Sequence, residues 1–175
     1  MRDVTSKSKI LEFMRLFGRD AETYVRVYFT GGTTAVLEGW RDTTIDIDLK
    51  FDPELDSLYR AIPKLKEQLN INVELAAPSD FIPPLPGWEE RSVFIGLEGK
   101  VSFYNYDPYS QALSKIERGH KQDISDVETM FEQKIIESVK LLELFEHIQP
   151  NLYRYPAIDP KSFAKSVRLF VGRSE

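Results

Sequence analysis

The order of apolar and polar residues along the chain changes character near residue 106. Before that point, the pattern predicts a helix, a strand, a short helix, a second strand, a longer helix, a third strand and a hairpin. After it, four stretches with helical spacing follow one another without a strand pattern between them. Strands mixed with helices and then helices alone predict an α+β lobe over residues 1–106 and a helical C-terminal lobe over residues 107–175.

Prolines set the expected limits of two segments in the first lobe. Pro53 suits the first turn of the longer helix, because its missing N–H would have no helical partner there. Pro63 lies inside the same pattern and predicts a break or a second helix start. Residues 78–91 are rich in proline and aromatic side chains, too irregular for one element and too apolar for a loose linker. We expect this stretch to form a packed loop.

The second strand pattern carries acids where a half-buried strand usually carries neutral polar groups. Asp46 and Asp48 are two residues apart, so both point to one face of the strand while isoleucine and leucine point to the other. In the third strand pattern Glu74 alternates with apolar residues in the same way. If these strands are neighbours, Glu74 completes a cluster of three carboxylates; Asp80, in the following loop, is the alternative third acid. Such oxygen ligands suit Mg²⁺ or Mn²⁺.

The turn before these acids contains two adjacent glycines. Gly31 and Gly32 follow the first strand pattern and open the short helix. Without side chains they allow a phosphate group to approach the backbone N–H groups at a helix N-terminus, and the hydroxyl of Thr33 offers another donor. Metal ligands facing a phosphate cradle form the arrangement that two-metal phosphoryl transfer uses. The competing interpretation is an ordinary amphipathic strand with solvated acids.

Composition and charge exclude several other classes of site. The chain has no cysteine, which removes disulfides and thiolate sites, and only two histidines, which makes a histidine-rich zinc site a poor fit. The net charge of −5 disfavours a dedicated reader of nucleic-acid sequence. No apolar run is long enough to span a membrane and no signal-peptide core follows the first residues, so we expect a cytoplasmic protein with no membrane partner.

The combination of Gly31-Gly32, a short helix and Asp46-Ile47-Asp48 on the next strand resembles the signature of the nucleotidyltransferase superfamily related to DNA polymerase β. That resemblance implies a polymerase-β-like core with a mixed β-sheet. It also implies metal ligation and catalysis by Asp46, Asp48 and Glu74, and binding of the nucleotide phosphates by Gly31, Gly32 and Thr33.

A second stretch, "YDPYSQALSKIERGHKQDISDVETM", resembles the C-terminal segment of bacterial AbiEii-type and related uncharacterised nucleotidyltransferases. Matched by position, Lys115 corresponds to a lysine that contacts nucleotide phosphates, and Asp123 and Asp126 to two acids that follow it, of which one supports the site. Gln122 stands where that family often has arginine. The alternative for Asp123 is a helix cap. The resemblance spans residues 20–135 and does not extend to the tail, residues 150–175.

These patterns together predict a metal-dependent enzyme that transfers a nucleoside monophosphate from an NTP to a hydroxyl of RNA, protein or a small molecule. The AbiEii-type resemblance also implies a toxin–antitoxin or defence context with a cognate toxin or antitoxin as partner. Arg41, just before the acidic strand, is a further candidate phosphate contact. Two alternatives stay open: a catalytically silent binding partner with the same fold, and a glycosyltransferase that uses Asp-x-Asp with a nucleotide sugar.

Overall fold

The computed structural model of the chain describes residues 2–173. The chain divides into two compact units, each built from two segments. The first unit comprises Met1–Ala77 and Ser92–Tyr106, and the second comprises Pro78–Arg91 and Asp107–Glu175. The segment Pro78–Arg91 therefore groups with the C-terminal helices, whereas the sequence pattern placed it in the first lobe.

The first unit is an α+β assembly, as the sequence pattern predicts. Its elements, in chain order, are β1 (Thr5–Ser6), α1 (Lys7–Asp20), β2 (Val25–Thr30), α2 (Gly31–Glu38), β3 (Thr43–Thr44), β4 (Asp46–Asp52), α3 (Asp56–Leu69), β5 (Asn72–Leu75), β6 (Val93–Glu98) and β7 (Val101–Asn105). β1 and β3 form a small antiparallel pair.

The other strands form one mixed sheet in the order β5-β4-β2-β7-β6. β4 runs antiparallel to β2 and parallel to β5, while β7 runs parallel to β2 and antiparallel to β6. Apolar side chains at alternate strand positions, such as Val27, Ile47 and Phe103, are fully buried against α1 and α3. The period-two pattern thus directs the residues between them, including Asp46 and Asp48, to the opposite face of the sheet.

Both proline expectations for the longer helix are wrong. Pro53 lies before α3, after a cis Asp52–Pro53 peptide bond, and the helix itself begins at Asp56. α3 continues through Pro63 to Leu69. A proline in a helix interior removes a backbone hydrogen bond, but the apolar face of α3, with Leu58 and Leu65 each 5% exposed, keeps the helix packed on the sheet.

The second unit is helical. Its elements are a 3₁₀ turn (Pro78–Asp80), α4 (Trp88–Arg91), α5 (Pro108–Arg118), α6 (Lys121–Glu132), α7 (Ser138–Ile148), a second 3₁₀ turn (Gln149–Arg154) and α8 (Pro160–Arg173). The predicted packed loop thus contains two short helical turns, with Ile82 and Leu85 buried. Its last residue, Arg91, holds both carboxylate oxygens of Asp107 at 3.1 and 2.8 Å. Asp107 in turn caps α5 by accepting the backbone N–H of Tyr109.

None of the helices in residues 2–173 combines the length and the apolar character that a bilayer-spanning helix needs.

Candidate metal and nucleotide site

Three carboxylates meet where β4 and β5 run side by side. The register of this parallel pair places Asp46 opposite Asn72 and Asp48 opposite Glu74. One oxygen from each of Asp46, Asp48 and Glu74 lies within 4.8 Å of the others. The two aspartates are half-buried and Glu74 is exposed. The third acid in this group is therefore Glu74 and not Asp80, because strand pairing brings Glu74 level with Asp48.

Hydrogen bonds from uncharged side chains fix the backbone and side chain of Asp46. The Asn72 side-chain amide donates to Oδ1 of Asp46. The hydroxyls of Thr33 and Thr44 both donate to the backbone carbonyl of Asp46, at 3.3 and 3.0 Å. The Thr33 hydroxyl also accepts the backbone N–H of Asp48 at 3.2 Å. α2 is thus tied to β4 at the residues that carry the acids, which holds the acids in place.

These contacts give Thr33 a structural role. Its side chain is fully buried, and its only hydroxyl proton is directed at the Asp46 carbonyl. The hydroxyl thus holds β4, and contact of Thr33 with a nucleotide stays a prediction. Thr44 and Asn72 were not predicted as site residues; the available signal was their period-two position on the faces that carry Asp46 and Glu74.

The glycine turn lies directly against the carboxylates. Gly31 has φ +60°, and a Cβ at this position would lie 2.8 Å from Oδ2 of Asp48. A Cβ at Gly32 would overlap the Thr44 hydroxyl and lie 3.0 Å from Nη1 of Arg41. Both positions therefore need glycine for steric reasons, and Gly31 also for its backbone conformation. The N-terminus of α2, with its partial positive charge, faces the acidic group.

Arg41, a predicted phosphate contact, lies beside the glycine turn. Its backbone N–H donates to the Ala35 carbonyl at 3.2 Å, so the chain folds back after α2. This brings a guanidinium nitrogen next to Gly32, at the helix N-terminus. The position supplies positive charge at the N-terminus of α2, and the contact with phosphate stays a prediction.

The residues present fit a hard divalent cation. Mg²⁺ and Mn²⁺ prefer carboxylate oxygens and retain coordination positions for water or substrate phosphate. Asp46, Asp48 and Glu74 offer such oxygens from two hydrogen-bonded strands. No Cβ fills the space beside Asp48, because Gly31 occupies that position. The geometry thus suits a metal next to a bound anion.

Lys115 belongs to a different cluster, in the second unit. Its ammonium lies 2.8 Å from Asp126 and 3.3 Å from Asp123, and its side chain is 6% exposed. Arg118 adds two hydrogen bonds to Asp123, at 2.9 and 2.7 Å. These pairs join α5 to α6. Two carboxylates engage the ammonium of Lys115. Its contact with nucleotide phosphates stays a prediction.

Asp123 is not the cap of α6, because the helix begins at Lys121 and Asp123 occupies its first turn. Burial of Asp123 by itself raises its pKa, but the hydrogen bonds and charges of Arg118 and Lys115 together outweigh burial and leave the pKa below its ordinary value of 3.8. The carboxylate is therefore ionised at neutral pH and stabilises the contact between α5 and α6. Whether it supports catalysis stays a prediction.

Comparison with known proteins identifies one family. The model of the family described as "Nucleotidyltransferase of unknown function (DUF6036)" matches residues 8–165. This match covers the glycine turn with its carboxylates, α4 to α7 of the second unit and the first residues of α8. It does not extend to the narrower AbiEii-type resemblance, which stays a prediction. No curated protein and no solved structure matches the chain.

Proposed function

We propose, because this chain belongs to the DUF6036 family of nucleotidyltransferases of unknown function, that it transfers a nucleoside monophosphate from a nucleoside triphosphate to an acceptor hydroxyl. The observation that supports this most directly is the convergence of Asp46, Asp48 and Glu74 within 4.8 Å beside a glycine turn that opens a helix.

Asp46, Asp48 and Glu74 would hold Mg²⁺ or Mn²⁺. When bound, such a metal neutralises phosphate charge and acidifies an acceptor hydroxyl. The chain's own groups bind and orient the nucleotide. The N–H groups at Gly31 and Gly32 and the N-terminus of α2 attract the β- and γ-phosphates, and Arg41 adds charge on the same side. Without the metal and the N-terminal charge of α2, three carboxylates would repel the triphosphate.

The transfer step is a substitution at the α-phosphorus. The acceptor oxygen forms a bond to that phosphorus while the bond to the bridging oxygen breaks, and pyrophosphate leaves with the electron pair. The acceptor proton passes to a carboxylate oxygen, and Glu74 suits this role because it is the exposed member of the group. The half-buried aspartates keep their orientation through the contacts of Thr33, Thr44 and Asn72 with Asp46 and Asp48.

The acceptor remains one of three classes: an RNA end, a protein hydroxyl or a small molecule. The net charge of −5 favours the last two. A toxin–antitoxin or defence role, with a cognate partner, belongs to the same proposal and follows from the AbiEii-type resemblance alone.

Thermal-shift measurements with ATP, CTP, GTP, UTP and UDP-sugars, each with and without Mg²⁺, separate the proposal from its alternatives. We expect stabilisation by one or more triphosphates that requires the metal and disappears in Asp46→Ala. Asp52→Ala is the matched control, because Asp52 lies on the same strand but outside the acidic group. Stabilisation by UDP-sugars instead would favour the glycosyltransferase, and no response to any nucleotide would favour the silent binding partner.

A further inference from the structure

The C-terminal helix α8 presents two different faces. Asp159 caps it by accepting the backbone N–H groups of Lys161 and Ser162 at 3.1 and 3.2 Å. One face is apolar and buried, with Phe163 and Val167 at 3% and 0% exposure. The opposite face carries exposed basic residues, and the sequence of α8 contains no acidic one. The proposed transfer reaction assigns no role to this face.

Three of those basic residues line one groove. Lys161, Lys165 and Arg168 follow the spacing i, i+4 and i+7, so they lie in a row along the helix. The groove has a volume of about 560 Å³, and no acidic residue lines it. No salt bridge between residues of the described range 2–173 engages these three side chains. Positive charge is therefore concentrated here on a chain whose net charge is −5.

Apart from Gln149, apolar groups form the rest of the groove wall. Leu169 follows Arg168 on the same face and is 53% exposed, and Pro160 and Ala164 also line the groove. An exposed leucine at the end of a row of cations is a poor match for a nucleic-acid backbone, and the groove contains no aromatic ring on which a base would stack. Apolar contact together with a row of cations suits a segment that carries both carboxylates and apolar side chains at helical spacing.

We propose that this groove of α8 binds an acidic amphipathic segment of a partner protein. The partner's carboxylates would pair with Lys161, Lys165 and Arg168, and its apolar side chains would cover Leu169. Arg168 is suited to a bidentate pair with a carboxylate, whereas the two lysines act as point charges. This inference does not depend on the transfer reaction.

The test is a binding titration of the full chain by fluorescence anisotropy. The probe is a fluorescein-labelled peptide with leucines along one face of a helix and glutamates beside them, both at helical spacing. The comparison probes are a scrambled peptide of the same composition and a labelled oligouridylate. We expect saturable binding of the amphipathic peptide that weakens with added salt. We also expect at least about tenfold weaker binding of the scrambled peptide and of the oligouridylate.

Variants locate the binding on the chain. We expect Lys165→Glu/Arg168→Glu to weaken binding of the amphipathic peptide at least about tenfold, and Leu169→Ser to weaken it several-fold with the charge unchanged. The matched control is Lys7→Glu/Lys64→Glu, which changes the net charge equally at exposed lysines of the first unit. Circular dichroism confirms that each variant is folded.

Three outcomes would overturn the proposal. These are no binding of the amphipathic peptide, equal weakening by the control pair, or tighter binding of the oligouridylate than of the peptide. The last result would assign the groove to nucleic acid.

Discussion

The two charged clusters of this protein contain acids in opposite settings. In the first unit, Asp46, Asp48 and Glu74 converge within 4.8 Å, and no salt bridge within residues 2–173 involves Asp46 or Glu74. In the second unit, two acids are matched by two bases, with Lys115 and Asp126 at 6% and 2% side-chain exposure. One cluster concentrates negative charge at a partly open position, and the other neutralises it where water is excluded.

The difference shows what each cluster contributes. Carboxylates held together carry a repulsive energy that a bound cation relieves, so the first cluster favours ligand binding over stability. Removing one partner from a buried ion pair leaves a charge without compensation, so the second cluster responds to substitution mainly through stability. Substitutions in the two clusters should therefore produce opposite effects on activity and on folding.

The largest expected effect is on transfer activity in the first cluster. Replacing Asp46 or Asp48 by asparagine should lower the rate by on the order of 10³-fold, about 4 kcal/mol, because the proposed metal site loses a ligand. The same change should slightly raise the melting temperature in EDTA, since it removes like-charge repulsion. Pyrophosphate release and thermal unfolding measure the two quantities. A lower melting temperature in EDTA would show that the acids stabilise the fold instead.

The second effect is on stability in the second cluster. Lys115→Met should lower the free energy of unfolding by about 3 kcal/mol, because Asp123 and Asp126 lose the ammonium that they share while buried. Arg118→Met, with a side chain that is 44% exposed, should cost less than about 1 kcal/mol. Urea unfolding measures both variants. Equal losses in the two variants would contradict the role of burial.

The glycine turn gives a smaller effect with a matched control. Gly31→Ala and Gly39→Ala both place a side chain at positive φ, at a cost of about 1 kcal/mol each. Only the Cβ at residue 31 approaches Asp48, whereas at residue 39 nothing lies within 4 Å. We therefore expect a larger loss of stability in Gly31→Ala than in Gly39→Ala, and an activity loss, about tenfold or more, in Gly31→Ala alone. Equal activity in the two variants would show that the glycine turn does not contribute to the site.

The smallest effect is a pH dependence of stability. Since the folded-state pKa of Asp123 lies below the ordinary value of 3.8, this carboxylate stabilises the fold above that value, and its contribution is lost as pH falls further. When the pH falls from neutral to below 3.8, the free energy of unfolding should therefore decrease less in Asp123→Asn than in the parent. Urea midpoints at both ends of this range measure the difference. An unchanged pH dependence would contradict the assignment.

Much of the fold follows from local sequence patterns. The alternation in β2, β4 and β5 predicts strands, and helical spacing predicts the helices of the second unit, because side-chain direction repeats with the backbone geometry of each element. The break predicted at Pro63 is absent from α3, because the packing of α3 on the sheet outweighs the local cost of a proline. The grouping of Pro78–Arg91 with the second unit depends on contacts such as Arg91–Asp107, which no local pattern reports.

The sequence by itself determined that Asp46 and Asp48 share a face and that a glycine turn precedes them, because period and spacing are properties of a single strand. Only the tertiary structure decided that Glu74 joins them, because parallel pairing of β4 with β5 sets that register. The same holds for Lys115: its charge is visible in the sequence, but its pairing with acids of the next helix results from the packing of α5 against α6. Distances between separate elements decide how charges interact, and these distances are set by packing.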